Sequence, residues 1–562
     1  MDRRTICEGL LEHPEIDVLV VGAGINGIGV FRDLARQGVD VLLVDRGDFC
    51  SGASSASSHM AHGGVRYLEN GEFRLVSEAV EERNRLLVNA PHLVKPLPTV
   101  IPMFKLFSGL LNAPFKFLGW LDKPSERGAA VIKIGLTLYD ALTRGHRVVP
   151  KHRFEGRGKT LESYPGLDPA VKFTAMYYDG QILSPERLAV ELVLDAEAEG
   201  PHARALSYAP LVRAEAGTFV VRDEVGGREI PLRPRAVVNA AGPWIDPVNL
   251  SLGLSTRYIG GTKGSHIVVD NPELKRAIGD REFFFENSDG RIVLLLGWYD
   301  RVLIGTSDIP IADADEALCT EAEIDYFIGL VSRIFPSIPV TRAQIVFAFS
   351  GVRPLPPSSA KSASEITRDH SIEEDKLGGL SVLSLVGGKW TAYRAFAEQA
   401  SDRILVLLGR GRRQSTRDLA IGGAAGLDAS PAGIDELVSR LARERGLAYD
   451  RARALVERYG TRAFRIAERP AAGGERMLAS LPGYSREEIA FLAAEEKAER
   501  LDDLVLRRST IAWLGRASRP VLEELCGIVG EVLGWDPSAR RAEVERVERL
   551  LRERHRVGRS GA

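Results

Sequence analysis

The sequence predicts an α/β protein in three parts: a Rossmann-like domain built from discontinuous segments, a second domain with a mixed sheet, and an all-α C-terminal domain. Three observations predict this. A β-α-β unit opens the chain within about 30 residues. Strand-then-glycine segments of the same texture return near residues 240 and 385. Beyond about residue 410 strand signals give way to Arg, Glu, Ala and Leu at helical spacing.

IDVLVVGAG, from Ile16 to Gly24, is a short apolar run rich in Val and Ile, as in a strand buried on both faces. NGIGVFRDLARQG continues with apolar residues at helical spacing (Ile28, Phe31, Leu34, Ala35) and a helix-stopping Gly38. VDVLLVD, from Val39 to Asp45, is a second buried strand. A helix is expected over 74–90, before Pro91, whereas 91–150 is rich in proline and aromatics and its elements are not assigned. Strands follow in 171–178, 206–222, 236–242 and 265–270. Two more lie in 291–308, paired by a turn at Tyr299-Asp300, and another in 344–355. Residues 378–409 read as a strand, a Gly-Gly turn and a helix beginning near Lys389. In the tail, Ser485-x-x-Glu488 has capping-box spacing, and 411–562 reads as a separate helical domain.

Composition narrows the function classes. The 562 residues are 44% hydrophobic and 27% charged, as in a soluble globular protein of several domains. A formal net charge of -2 gives no whole-molecule attraction to nucleic acid. Four scattered cysteines, Cys7, Cys50, Cys319 and Cys526, make neither a disulfide framework nor a metal site. Acidic residues interrupt the N-terminal segment, so it is not a secretory signal, and no apolar run reaches the ~18 residues of a spanning helix. A cytoplasmic protein is expected, with a peripheral contact to the cytoplasmic face of a membrane left open. PMFKLFSGLLNAPFKFLGWL (102–121) is the candidate for that contact, since aromatics and lysines anchor an interfacial segment. The favoured alternative packs it inward.

Gly22-Ala-Gly24-Ile-Asn26-Gly27 has the G-x-G-x-x-G spacing between a strand and a helix. The glycines allow a tight turn, close approach of a pyrophosphate and close helix–strand packing, and the helix N-terminus favours negative charge. Asp45, at the end of the second strand, can bind an adenosine ribose hydroxyl and disfavours a 2′-phosphate. The fingerprint itself does not separate FAD from NAD. The discontinuous domain tilts the reading toward FAD, as does LVGGKWTAY. There Gly387-Gly388 and Lys389 suit the negative charge a flavin gains on reduction.

Several blocks in order resemble the FAD-dependent glycerol-3-phosphate dehydrogenases, within the D-amino-acid-oxidase-like flavoproteins. They are VVGAGINGIGVFRDLARQG, SSASSHMAHGGVRYLENGEFRLVSEA, VVNAAGPW, KGSHIVV, IGTSD, SGVRPL, ITRDH, GGKWTAYR and, in the tail, EEKAERLDDLVLRRS. The resemblance implies FAD-binding segments at 1–90, about 180–260 and 370–410, a substrate domain at about 91–180 and 261–369, and the helical domain at 411–562. It implies oxidation of sn-glycerol 3-phosphate to dihydroxyacetone phosphate, with electrons passing to a quinone or another acceptor. The implied substrate contacts are Arg66, Tyr67, Arg353, Arg368, Lys389 and Thr391, since arginine and lysine cradle a phosphate dianion. His266 is similar to a family histidine placed near the flavin. It is favoured over His62 as the proton acceptor, with Arg66 and Arg353 beside it. The expected cofactor contacts are Gly22, Gly24, Asn26, Gly27, Asp45, Arg46, Ser54, Ser55, Ser57, Ser58, His62, Gly63, Gly64, Gly242, Gly387, Gly388, Lys389, Trp390 and Thr391. The chain departs from the family pattern at His59, Met60 and Ala61, at His370, and in 179–188. Two other readings stand beside this one: a related flavin oxidase of another hydroxy or amino acid, and a non-catalytic nucleotide-binding assembly protein. Oligomeric state is open, a homodimer among the options.

Overall fold

The computed structural model describes residues 1–64, 73–105, 129–142, 148–215, 217–286, 292–357, 369–468 and 474–558. Two sheets carry the molecule. The first has eight strands. At its centre Leu380–Val386, Arg228–Asn239, Glu15–Val21, Val41–Val44 and Ala203–Leu206 run parallel in that spatial order. Ser371–Leu377 closes one edge antiparallel. The hairpin Leu211–Glu215 and Thr218–Asp223 leaves the sheet on an extension of Arg228–Asn239.

The continuous apolar runs are explained by cover on both faces. Val18, Val20, Val41 and Leu43 pack under the helices Ile25–Arg36, Pro185–Glu197 and Tyr393–Leu407. Leu19, Val21, Leu42 and Val44 pack on the other face, against Ile6, Cys7 and Leu10 of the helix Arg3–Glu12. The helix Ile25–Arg36 ends two residues before Gly38, which holds φ 69°. The expected helix over 74–90 spans Phe73–Asn89.

The second sheet has ten strands. Its spine includes Thr262–Val269 paired antiparallel with both Arg301–Gly305 and Ile345–Arg353. Val94–Met103, in the stretch whose elements were unassigned, pairs along its length with Phe173–Ile182. Ile292–Trp298 and Arg301–Gly305 form the expected hairpin about Tyr299-Asp300. In Thr262–Val269 every residue is buried, so both faces of this sheet are covered. Period two sends Ile267 and Val269 toward the helix Glu321–Ile334 and Val268 toward the C-terminal helices.

Among the described residues, helices follow one another between Pro431 and His555, and this helical domain packs directly on the second sheet. Leu294, Leu296, Trp298, Phe347 and Phe349 of the second sheet share one core with Leu501, Val505, Leu522 and Val547 of the helices and with Trp513 in the turn before Arg519–Val532. The expected capping box at Ser485 is half formed. Ser485 Oγ accepts from the Glu488 amide at 3.1 Å, but the Glu488 carboxylate turns inward to Arg451, Arg458 and the Tyr459 hydroxyl. Two part-buried cations offer this fully buried acid more than an orphan amide does.

A second buried ion network joins the tail to the first sheet. Arg508 donates to both oxygens of Asp48, at 2.5 and 2.9 Å, and Arg507 Nε donates to Asp48 at 2.5 Å. The Asp48 and Arg508 side chains are both 0% exposed. Removing Arg508 takes away two hydrogen bonds to the buried Asp48 charge and leaves Arg507 alone to compensate it, at a cost of up to about 3–5 kcal/mol. Arg508→Met is therefore expected to lower stability to urea by that amount. The double variant Asp48→Asn/Arg508→Met should lose less than the sum of the two single changes.

Candidate active site

Three distant segments of chain meet beyond the ends of the parallel strands. The glycine loop follows Glu15–Val21, and Gly22 holds φ 102°, where a side chain would strike the Ala240–Ala241 backbone at 2.7 Å. A Cβ on Gly27 would lie 1.9 Å from the Gly22 carbonyl, so the third glycine lets helix and strand pack. Asp45 braces this loop, its carboxylate accepting from the Ala23 amide at 2.6 Å and the Gly47 amide at 2.8 Å. Burial pushes Asp45 up to about 6, against the pull of those two amides.

The serine segment closes on the same helix. Ser54 Oγ accepts from the Ile25 amide at 2.9 Å and so occupies one of the open donors of the helix N-terminus. The loop after Leu380–Val386 completes the enclosure. Asn26 Nδ2 donates to the Gly387 carbonyl at 3.1 Å, and Trp390 Nε1 donates to the Ser54 carbonyl at 2.8 Å. Thr391 Oγ1 accepts from the His62 amide at 3.0 Å. The helix expected near Lys389 begins only at Tyr393, with turns between, because Trp390 and Thr391 are engaged with the serine segment. Lys389 lines a narrow pocket with Glu78, His370 and Thr391.

The other predicted residues have varied surroundings. Ser55 and Ser57 hydrogen-bond within their own turn, to the Gly52 carbonyl and from the His59 amide. Gly64 (φ 72°) follows Gly63, whose amide donates to buried Asp179 at 2.8 Å. Gly242 starts a short 3₁₀ turn. Arg46 is exposed, paired with Asp315 at 2.5 Å and stacked over Trp244 at 4.5 Å. Arg66, Tyr67 and Arg368 lie outside the described residues, as do residues 106–121 of the apolar segment 102–121. Pro102 and Met103 end the strand Val94–Met103.

His266 and Arg353 lie on one face of the second sheet. His266 stands opposite both Gly305 and Phe349. Its ring lies over Gly305, where a Cβ would come within 2.1 Å, and stacks on Phe349 at 4.8 Å and 6°. His266 Nε2 is hydrogen-bonded to Ser58 Oγ at 2.9 Å, while Nδ1 has no hydrogen-bond partner among the described residues. Arg353 lies over Gly264, where a Cβ would meet its guanidinium at 2.4 Å, and pairs with Asp308 at 3.1 Å. Burial above all, then the charge of Arg353, holds the His266 imidazole down to about 3, so the ring is neutral. Sequence reasoning missed Gly264, Gly305, Phe349 and Asp179. Glycines inside the strands of KGSH and IGTSD were the available signal for close approach by a neighbour.

These residues fit a flavin dinucleotide. The helix that follows the glycine loop still offers the first-turn amides of Asn26 and Gly27 to a phosphate. Asn26 Oδ1 is buried without a hydrogen-bond partner among the described residues, and its amide group fills the space a Cβ on Gly388 would need. Fold and site together define an oxidoreductase that uses a bound flavin dinucleotide.

The chain belongs to the FAD-dependent oxidoreductase family, which it matches over residues 17–394. Residues 414–540 match the C-terminal domain of alpha-glycerophosphate oxidase. The chain is 32% identical to the glycerol-3-phosphate dehydrogenase of Synechocystis sp. over 557 residues, covering 93% of this chain and 94% of that relative. It is also 32% identical to the D-erythritol 1-phosphate dehydrogenase of Brucella abortus over 513 residues, 89% of this chain and 95% of that relative. The crystal structure of the glycerol-3-phosphate dehydrogenase from Bacillus halodurans complexed with FAD has the same fold, with TM-score 0.75 at 22% identity. That match covers 98% of this chain and 97% of the other.

One departure from the family pattern has a clear place. His59 (φ 56°) is 0% exposed and caged by Trp298 at 4.8 Å, Trp513 at 5.4 Å and Phe349 at 6.4 Å. Neither ring nitrogen has a hydrogen-bond partner among the described residues, and burial holds the imidazole down to about 3. The unfolded chain, with an ordinary histidine near 6.5, binds this proton over a window in which the folded protein does not. The contribution of neutral His59 is therefore complete above about pH 6.5 and is lost as the pH falls toward 3. One proton corresponds to about 1.4 kcal/mol per pH unit within that window. Thermal unfolding of His59→Phe between pH 7 and 5 should show a shallower acid-side loss than wild type. Parallel curves would contradict the assignment.

Proposed function

We propose that this enzyme oxidises sn-glycerol 3-phosphate to dihydroxyacetone phosphate, removing hydride from C2 and passing the electrons to a quinone or another acceptor. The observation that carries the reading is the pairing of neutral His266 with Arg353 on one sheet face, beside the serine segment of the dinucleotide site. The names of the relatives from Synechocystis and Brucella support a phosphorylated polyol. FAD, when bound, supplies a hydride acceptor at N5 of its ring.

The chain supplies the remaining functions. Arg353 binds the phosphate through its guanidinium fork, exchanging part of its pairing with Asp308 for the dianion. Lys389 and Thr391, with Arg66, Tyr67 and Arg368 from segments outside the described residues, complete the substrate contacts. With Nε2–H donated to Ser58 Oγ, the Nδ1 lone pair of His266 takes the hydroxyl proton as C2 is oxidised. Burial of the histidine keeps water from competing for that position. The dinucleotide is held by the glycine loop, Asp45, the serine segment and the Gly387–Thr391 loop.

Supply of electrons to a quinone fits a peripheral site at the cytoplasmic face of a membrane. No helix among the described residues is long and apolar enough to cross one. The composition of 102–121 supports contact through that segment.

The holoenzyme mixed anaerobically with glycerol 3-phosphate should bleach its flavin absorbance promptly. The Brucella relative makes a four-carbon polyol phosphate the second substrate to try, and faster bleaching by erythritol phosphate would reassign the substrate within the same class. Bleaching only by glycerol or by a hydroxy acid would defeat the reading. Arg353→Ala should retain FAD and raise KM for the phosphorylated substrate about 100-fold, as expected for loss of a charged contact worth about 3 kcal/mol. Unchanged steady-state kinetics would remove Arg353 from the phosphate site.

A further inference from the structure

We propose that the C-terminal helical domain is part of the catalytic apparatus, because its Trp513 is a positioning residue for His266. The inference rests on the reading of His266 as the proton acceptor. Trp513 is only 4% exposed and meets four rings: Phe347 at 4.7 Å, Phe349 at 4.9 Å, His59 at 5.4 Å and Trp298 at 6.0 Å. None of these four belongs to the helical domain.

Two routes lead from the indole to the histidine. Phe349 meets Trp513 edge-on at 69° and lies flat on the His266 ring at 6°. The edge contact fixes the plane of Phe349, and the stack passes that plane on to the imidazole. By the second route Trp513 closes the cage around His59, the residue next to Ser58. Ser58 Oγ is the partner of His266 Nε2. The His59 ring has no hydrogen-bond partner among the described residues, so packing alone orients the ring beside the adjoining serine, while the His59 backbone is tied to Ser57 Oγ and the Ile182 amide. A displaced Ser58 or a rotated imidazole would misdirect Nδ1.

The indole itself is well anchored. Nε1 of Trp513 donates to the Leu506 carbonyl at 2.8 Å. The next two residues, Arg507 and Arg508, clamp Asp48. One short C-terminal stretch therefore grips the loop after Asp45 and also backs the histidine.

The test uses the FAD-loaded full-length protein. Trp513→Leu should keep its FAD and its KM within about threefold, while the rate of flavin bleaching by the polyol phosphate falls about tenfold or more, the scale of a small misplacement of a reacting group. Trp513→Phe should recover most of that rate, and Phe349→Leu should reproduce the loss. A wild-type bleaching rate in folded Trp513→Leu would overturn the proposal. If Trp513→Leu does not fold, a wild-type rate in Phe349→Leu would do so. A second readout needs no substrate: ¹⁵N resonances of the His266 ring, identified by their loss in His266→Gln, should shift in Trp513→Leu or Phe349→Leu. Unchanged resonances would overturn the proposal. Failure of every polyol phosphate to bleach the wild-type flavin would defeat the functional reading alone, and the resonances would still decide this one.

Discussion

The carboxylate of Asp48 is the point on which the two ends of the chain close. It is fully buried, a position that opposes ionisation, yet Arg508 and then Arg507 override burial and hold it below the usual carboxylate range. Arg507 also reaches Asp502 and Asp503, each at 2.7 Å, and Asp503 accepts from the Tyr208 hydroxyl at 2.5 Å. Charges this deep in a low-dielectric interior are tolerated only with their partners in place. Because Asp48 follows Asp45 by three residues, the loop that ends the second strand cannot take its final form without the C-terminal helices. The shared core between those helices and the second sheet enforces the same coupling with apolar area.

From this clamp the site follows by short steps. Asp45 hydrogen-bonds the glycine loop on one side and the Gly47 amide on the other, which ties dinucleotide geometry to Asp48. The second sheet contributes rigidity of another kind. Thr262–Val269 has neighbours on both edges and cover on both faces, so a side chain on it has little freedom. Room for a large ring or a guanidinium on such a strand must come from missing side chains. Gly305 provides it for His266 and Gly264 for Arg353. The buried pair Arg83–Asp179 plays a comparable part for the Gly63 amide, with Arg83 also donating to the Tyr139 hydroxyl at 2.7 Å.

Much of this was legible in the sequence, and the reasons for the remainder are physical. The parallel strands could be read because burial on both faces demands unbroken Val, Ile and Leu, as in IDVLVV and VDVLLV. The glycine fingerprint could be read because its constraints are local, within one turn. Val94–Met103 escaped because three prolines within it argue against a strand, and only its pairing with Phe173–Ile182 overrides that. Glu488 and Trp390–Thr391 show the same limit. Their local signals point to a cap and a helix start, and distant partners win. Trp513 carried no signal, since a tryptophan in a helical tail looks like ordinary core and its ring partners are more than 150 residues away in sequence.

The electrostatics of His266 complete the argument for its surroundings. As the proposed proton acceptor, His266 must be unprotonated before the substrate arrives, and burial together with the nearby Arg353 charge holds it so. The same two causes make the ring a weak base, which opposes its task. On the proposed reading the substrate relieves that opposition. A phosphate dianion against Arg353 cancels the charge that depresses His266, so the imidazole gains basicity when a phosphorylated substrate is bound. Glycerol, lacking the dianion, leaves Arg353 with only its resting partners such as Asp308 to offset its charge beside the histidine, and so meets a poorer base as well as a weaker contact. Discrimination for the phosphate then acts in the proton transfer itself and in binding, through one arginine that the strand register places on the face of the histidine.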